Sequence, residues 1–228
     1  MATDISIARA IDDGLRILKG NFWPCVLAIV ILGILDSFGD GAVIRRTVDE
    51  NGWTFGPSLT GGFVAFIIGL LVKPVFDFGT KFMFVRSLRG DIFDVKDMAE
   101  GFDTKPLYVD IILTNLILKI MVLVGIVCLV LPGIYIACRT VLAPYLVMDK
   151  GLGPRQAIAA SWELTRDFWP RVVLMALVAF AMMLGGLVLL LVGMIPAFAW
   201  IKGMFAAFYQ QVLDVHSEEF LQSLDIAP

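Results

Sequence analysis

Residues that commonly carry catalysis or bind metals are few in this chain of 228 residues, which has one histidine and three cysteines. The single histidine, His216, gives no support for the nucleophile–base pairs of hydrolases or for a histidine-based metal site. The cysteines, Cys25, Cys128 and Cys138, form no CxxC pair and lie in apolar stretches, where cysteine behaves as a small buried hydrophobe. We therefore expect no enzyme activity, no bound metal and no cofactor.

Charge is also scarce. Charged residues make up 17% of the chain and the net charge is −3, whereas an average soluble domain has about 25% charged residues. No basic tract with interleaved aromatic residues occurs, so we expect no nucleic-acid partner. The glycine pairs Gly61-Gly62 and Gly185-Gly186 lack the lysine that follows the glycines of phosphate-binding loops. They are instead typical of positions where two helices pack closely.

The apolar residues, 59% of the chain, come in long blocks, and the mean hydropathy is +0.86. Such blocks indicate a lipid environment, because a spanning helix needs about 20 apolar residues. Two blocks are long enough for two spans each and have Pro and Gly near their middle, which favours a turn. The sequence therefore predicts an all-α membrane protein with about six transmembrane helices in three hairpins, at 22–38, 61–84, 107–130, 131–148, 168–191 and 192–213.

The distribution of Lys and Arg outside the spans predicts the orientation in the membrane. Eleven of these bases lie before the first span, after the second or after the fourth, whereas only Arg45 and Arg46 lie in the opposite loops. The first span is not followed by a small-x-small cleavage site, so we expect it to be retained. Both termini are predicted to be cytoplasmic, with a single transmembrane domain at 1–213 and an acidic tail at 214–228.

Each predicted hairpin is preceded by a short amphipathic segment, expected to be a helix on the cytoplasmic surface of the bilayer. The tripeptide Phe-Trp-Pro follows the first and third of these segments, at 22–24 and 168–170. These features predict a threefold repeat at 5–84, 92–148 and 153–213, although unrelated hairpins with shared interfacial residues are an alternative. The segments share the patterns Ala10-Ile11-x-x-Gly14-Leu15, Asp97-Met98-x-x-Gly101-Phe102 and Ala157-Ile158-x-x-Ser161-Trp162.

Several motifs resemble those of a known family. They are Arg89-Gly90-Asp91-x-x-Asp94-x-x-x-Met98-x-x-Gly101-Phe102, Leu131-Pro132-Gly133-Ile134-Tyr135-Ile136-x-x-Arg139, Ala143-Pro144-Tyr145 and the run at 151–165. This set is similar to a group of bacterial six-span proteins that includes YciC-like proteins and the membrane domain attached to some glycerophosphoryl diester phosphodiesterases. The resemblance implies a location in the bacterial inner membrane. It implies no particular activity, since members of the group are mostly uncharacterised.

Ionisable residues inside the predicted spans are the best functional clue in the sequence. A charge at the centre of a bilayer costs about 2.5–3.5 kcal/mol on insertion scales, so such residues usually face the bundle or pair with one another. The alternative is that their long side chains reach the head groups. Away from the span ends there are five bases and one acid, Asp77, since Asp36 and Asp110 lie near the ends of their spans. This excess of positive charge favours an anionic ligand such as a phospholipid phosphate. The candidate ligand-binding residues are Lys73, Asp77, Lys81, Lys119, Arg139 and Lys202.

Two arrangements of these residues are expected. Lys73 and Asp77, four residues apart on one helix face, should pair with each other or with a neighbouring span. Lys81, Arg139 and Lys202 each follow a proline by six or seven residues on a returning helix. They should therefore lie at one depth and form a ring, in which Arg139 is the preferred anchor because a guanidinium can bind phosphate through two hydrogen bonds.

Three functions fit these observations. The first is a non-enzymatic inner-membrane protein that binds anionic lipid or a small anion in envelope lipid handling. The second is a transporter or channel that uses the charged residues along a path, although the repeats would be parallel and not inverted as in many secondary transporters. The third is a scaffold or leaflet sensor that acts through the three surface helices.

Overall fold

The computed structural model describes residues 5–39, 44–49, 52–57, 68–91, 95–102, 104–128, 130–188, 193–216 and 223. Nearly all of these residues are helical, which confirms the predicted helical class. The exception is an antiparallel hairpin of β1 (Ile44–Asp49) and β2 (Gly52–Pro57) in the loop after the first predicted span. Residues 61–67, the start of the second predicted span, and most of the predicted tail at 214–228 lie outside the described residues.

The helices of the described chain range from 5 to 24 residues in length. A π-helical turn, Ile68–Val72, leads into α3, and a 3-10 helix, Val95–Phe102, precedes α4. The α-helices are α1 (Ile7–Gly20), α2 (Phe22–Gly39), α3 (Lys73–Leu88), α4 (Lys105–Cys128), α5 (Val130–Arg139), α6 (Ala143–Lys150), α7 (Pro154–Leu164), α8 (Trp169–Val188) and α9 (Met194–Val215).

Three stretches of helix are long and apolar enough to cross a membrane, namely Lys105–Val127, Leu131–Lys150 and Trp169–Leu187. A fourth is possible if α1 and α2, bent by 99° at their junction, count as one broken span. Within the described residues α3 has only 16 residues, and the polar residues of α9 lower its hydropathy. The described structure therefore contains three or four of the six predicted spans.

Three short helices, namely α1, the 3-10 helix and α7, pack against other helices of the bundle. Helix α1 packs most extensively against α9, where the indole Nε1 of Trp200 donates to the carbonyl of Ile11 at 2.9 Å. Gly14 makes this approach possible, since a Cβ there would lie 2.7 Å from the backbone nitrogen of Met204. Ala10, Gly14 and Ile17 of α1 are buried, whereas Ile7, Ile11 and Leu15 of its predicted apolar face are only half-buried. The placement of α1 on the bilayer surface therefore stays a prediction.

The other two short helices are covered in the same way. The 3-10 helix packs against α3, where a Cβ on Gly79 would clash with the backbone of Met98. Helix α7 packs against α6 and holds the break between α5 and α6: the Ser161 hydroxyl donates to the carbonyl of Arg139 at 2.8 Å and accepts from the amide of Leu142 at 3.2 Å. Each of these three helices therefore contacts the returning helix of another predicted unit. Helix α1 of the first unit contacts the third unit, the 3-10 helix of the second unit contacts the first, and α7 of the third unit contacts the second.

Candidate functional site

An ion cluster joins α3 to α9 inside the bundle. The Asp77 carboxylate accepts a hydrogen bond from Lys81 Nζ at 2.9 Å, one turn further along α3. Its other oxygen accepts from Lys202 of α9. The side chains of Asp77, Lys81 and Lys202 are 32%, 19% and 22% exposed. The expected pairing of Asp77 with a neighbouring helix is therefore confirmed, whereas Lys73 lies half-buried at the start of α3.

The two lysines of this cluster also line a cavity of about 650 Å³ between α3, α4, the α5–α6 segment and α9. A third lysine, Lys119, reaches the same cavity from α4. The site thus combines three of the five predicted intramembrane bases. The rest of the lining is mostly apolar and consists of Leu118, Val122, Leu123, Ile126, Ala137, Thr140, Val141, Pro144, Tyr145, Ile201 and Phe205.

Lys119 differs from the other two lysines in its surroundings. Its side chain is exposed, and it makes no ion pair with any carboxylate in the described part of the chain. Leu123, one turn further along α4, also lines the cavity and is 62% exposed. The cavity therefore opens on the outer surface of α4, and Lys119 places an unneutralised positive charge at this opening.

Sequence reasoning did not identify Tyr145 as a site residue. Tyr145 lines the cavity and is 2% exposed, with its ring stacked on Tyr209 at 5.2 Å between centroids. Its hydroxyl forms no hydrogen bond with another described residue. The only signal in the sequence was its place in the motif Ala143-Pro144-Tyr145, which suggested a family and not a role.

Arg139, the expected anchor, lies elsewhere. It is not among the residues that line the cavity, and its guanidinium lies over the ring of Trp162 at 4.8 Å and near that of Tyr135 at 5.8 Å. The side chain is 4% exposed, and its Nε has no hydrogen-bond partner among the described residues. The predicted ring of three bases is therefore wrong: Lys81 and Lys202 share one carboxylate, and Arg139 packs in an aromatic cluster.

A second polar cluster fixes the helix ends next to the cavity. Arg89, just after α3, forms two hydrogen bonds with Asp149 of α6, one of them 2.8 Å long between Nη2 and Oδ2. Tyr209 of α9 donates to the same carboxylate at 2.8 Å. The hydrogen bonds to Asp149 raise the pKa of Arg89 above its ordinary value. This cluster ties together the three helices that carry Lys81, Tyr145 and Lys202.

The described residues contain no group of three or more His, Cys, Asp or Glu side chains that could hold a metal ion. The polar residues that line the cavity are Lys81, Lys119, Lys202, Thr140 and Tyr145. In comparisons with known proteins, no family model, curated protein or solved structure matches this chain.

Proposed function

We propose that the protein is a six-span protein of the bacterial inner membrane, with three hairpins and both termini in the cytoplasm. The three or four helices able to cross a membrane support this arrangement. The excess of Lys and Arg on one side supports the orientation. The family resemblance of the motifs at 131–165 supports the location.

We propose further that the protein acts by binding an anionic lipid in the cavity, without catalysing a reaction. The observation that carries this proposal is the composition of the cavity, in which three lysines adjoin a largely apolar lining. Ionisable side chains in membrane helices usually pair with one another or line a cavity. Asp77 supplies one negative charge for Lys81 and Lys202 together, which leaves an excess of positive charge that favours an anionic ligand.

The shape of the site favours an anion that carries an acyl chain. The apolar residues Leu118, Val122 and Ile126 lie on α4 beside Lys119 at four-residue intervals, and they form a stripe that would pack along a hydrocarbon chain. The opening beside Leu123 is lined by side chains that face outward from the bundle. A lipid could enter there from the bilayer without passing through water. The leaflet-sensor function has less support, because α1 packs against α9 and part of its surface is buried there.

The test compares Lys119→Gln with Lys105→Gln, since both lysines are exposed and lie on α4, but only Lys119 reaches the cavity. Native mass spectrometry of the purified protein, titrated with phosphatidylglycerol, measures bound lipid. We expect Lys119→Gln to weaken binding roughly tenfold, as expected for one hydrogen bond between charged groups. Lys105→Gln should bind like the wild type.

Two results would contradict the proposal. One is a wild-type protein that binds no anionic lipid above the level seen with phosphatidylcholine. The other is an equal loss of binding in the Lys119 and Lys105 variants, which would show that any lipid binding comes from general surface charge.

A further inference from the structure

The formal charge of the cavity distinguishes between classes of anionic lipid. Lys81, Lys119 and Lys202 contribute three positive charges and Asp77 one negative charge, which leaves a net charge of +2. Most anionic membrane lipids are phosphodiesters and carry one negative charge on the phosphate. A phosphomonoester carries about −1.5 to −2 near neutral pH and presents three acceptor oxygens. A single phosphomonoester therefore comes closer to neutralising the site than a single phosphodiester does.

We propose that the cavity takes a phosphomonoester lipid, phosphatidic acid being the simplest, in preference to phosphodiester lipids. This inference rests on the proposed function and specifies its ligand. The phosphate would lie between Lys119 on α4 and the pair Lys81 and Lys202.

The number of hydrogen-bond donors agrees with the charge. An ammonium group has three donors, and Lys81 and Lys202 each use one on Asp77. Both can therefore donate to a phosphate without breaking the ion cluster. Lys119 and the hydroxyl of Tyr145 line the same cavity and bond to no other described side chain. Three ammonium groups and one hydroxyl suit an acceptor with three oxygens better than a phosphodiester, whose charge is shared by two.

The apolar part of the cavity determines whether the ligand is a lipid or a soluble phosphate ester. Most of the lining residues are apolar, and the opening lies beside the exposed Leu123. Each methylene of an acyl chain buried against these residues adds to the binding free energy. A soluble phosphomonoester such as glycerol 3-phosphate would leave this surface empty and should bind far more weakly.

The experiment measures binding of phosphatidic acid and phosphatidylglycerol, with identical acyl chains, to the full-length protein in detergent at pH 7.5 and pH 5.5. At pH 7.5 we expect roughly tenfold tighter binding of phosphatidic acid, corresponding to one additional charge-assisted contact. At pH 5.5 the preference should shrink, because the second proton of a phosphomonoester is lost with a pKa of about 6. Lys119→Gln should reduce the preference at pH 7.5, whereas Lys105→Gln should not.

The outcomes separate this inference from the proposed function. Equal binding of the two lipids at pH 7.5 overturns the inference and leaves anionic-lipid binding standing. Binding of neither lipid overturns both. If neither the pH change nor Lys119→Gln reduces the preference for phosphatidic acid, this preference does not arise from the lysine cavity and the inference is overturned. Displacement of bound lipid by glycerol 3-phosphate at comparable concentration would show that the acyl chain contributes nothing to affinity. It would overturn the proposal that the ligand is a lipid.

Discussion

Removing the Asp77 carboxylate should destabilise the contact between α3 and α9. In Asp77→Asn, Lys81 and Lys202 would lie next to each other without a counter-charge. Exposed ion pairs contribute about 0–1 kcal/mol, whereas breaking a fully buried pair costs about 3–5 kcal/mol. The side chains here are 19–32% exposed, so we expect an intermediate loss of about 2–4 kcal/mol for two charged hydrogen bonds.

The assay is thermal unfolding of the purified protein in one detergent, read as a shift of the midpoint. For a chain of this length such a loss corresponds to a decrease of roughly 5–15 °C. Asp77→Ala should lower the midpoint further than Asp77→Asn, because alanine also leaves a gap and no polar partner for the lysines. Neutralising Lys202 as well, in Asp77→Asn/Lys202→Met, should recover part of the loss by removing the repulsion between the two lysines.

The double-mutant cycle of Asp77→Asn and Lys202→Met tests whether the ion cluster stabilises the protein. Lys202→Met alone should have a smaller effect than Asp77→Asn, since Lys81 keeps its partner. A coupling energy between Asp77 and Lys202 below about 0.5 kcal/mol, the usual error of additivity for independent sites, would refute the ion cluster as a stabilising contact.

Three further predictions concern other parts of the molecule. Gly14→Val should lower the unfolding midpoint through a loss of about 1–3 kcal/mol, because its Cβ would meet the backbone of α9, whereas Gly20→Ala should change little, because nothing lies within 4 Å of a Cβ there. Arg139→Ala should reduce stability by about 1–2 kcal/mol through loss of its contact with aromatic rings, and lipid binding in the titration above should stay unchanged. Reporter fusions at Gly151 should report a cytoplasmic location and fusions near Asn51 an external one; an external signal at Gly151 would contradict the hairpin count.

The sequence predicted those features that depend on hydropathy or on local chain geometry. The helical class follows from the apolar blocks, and helix breaks occur close to the expected Pro and Gly positions: α4 ends at Cys128, and α9 begins at Met194. The pairing of Asp77 could be expected because one acid among five bases has many possible partners. The particular partners of Asp77 could not be predicted from the sequence, because they depend on which helices become neighbours.

The sequence did not predict features that depend on how a helix is rotated about its axis or on which helix packs beside it. The spacing from proline to base sets the depth of Arg139 along its helix, but not the direction in which the side chain points. The α5–α6 break after Arg139, held by Ser161, gives this part of the chain a geometry that α3 and α9 do not share. The amphipathic pattern of α1 shows that it needs an apolar surface, yet lipid and α9 satisfy that need equally. Gly14 and Gly203 approach each other closely in the structure. These two glycines were the signal in the sequence that could have indicated close packing of α1 against α9.

The packing of α1 against α9 has a consequence for how the protein is made. The amide of Ser6 bonds to the side chain of Gln211, 205 positions later, and the Trp200 indole bonds to Ile11 across 189 positions. At a synthesis rate of about 5–20 residues per second, α1 leaves the ribosome roughly 10–40 s before its partner. During this interval the side of α1 that packs against α9 lacks its protein partner. The contact between α1 and α9 is therefore a late step in the formation of the folded protein.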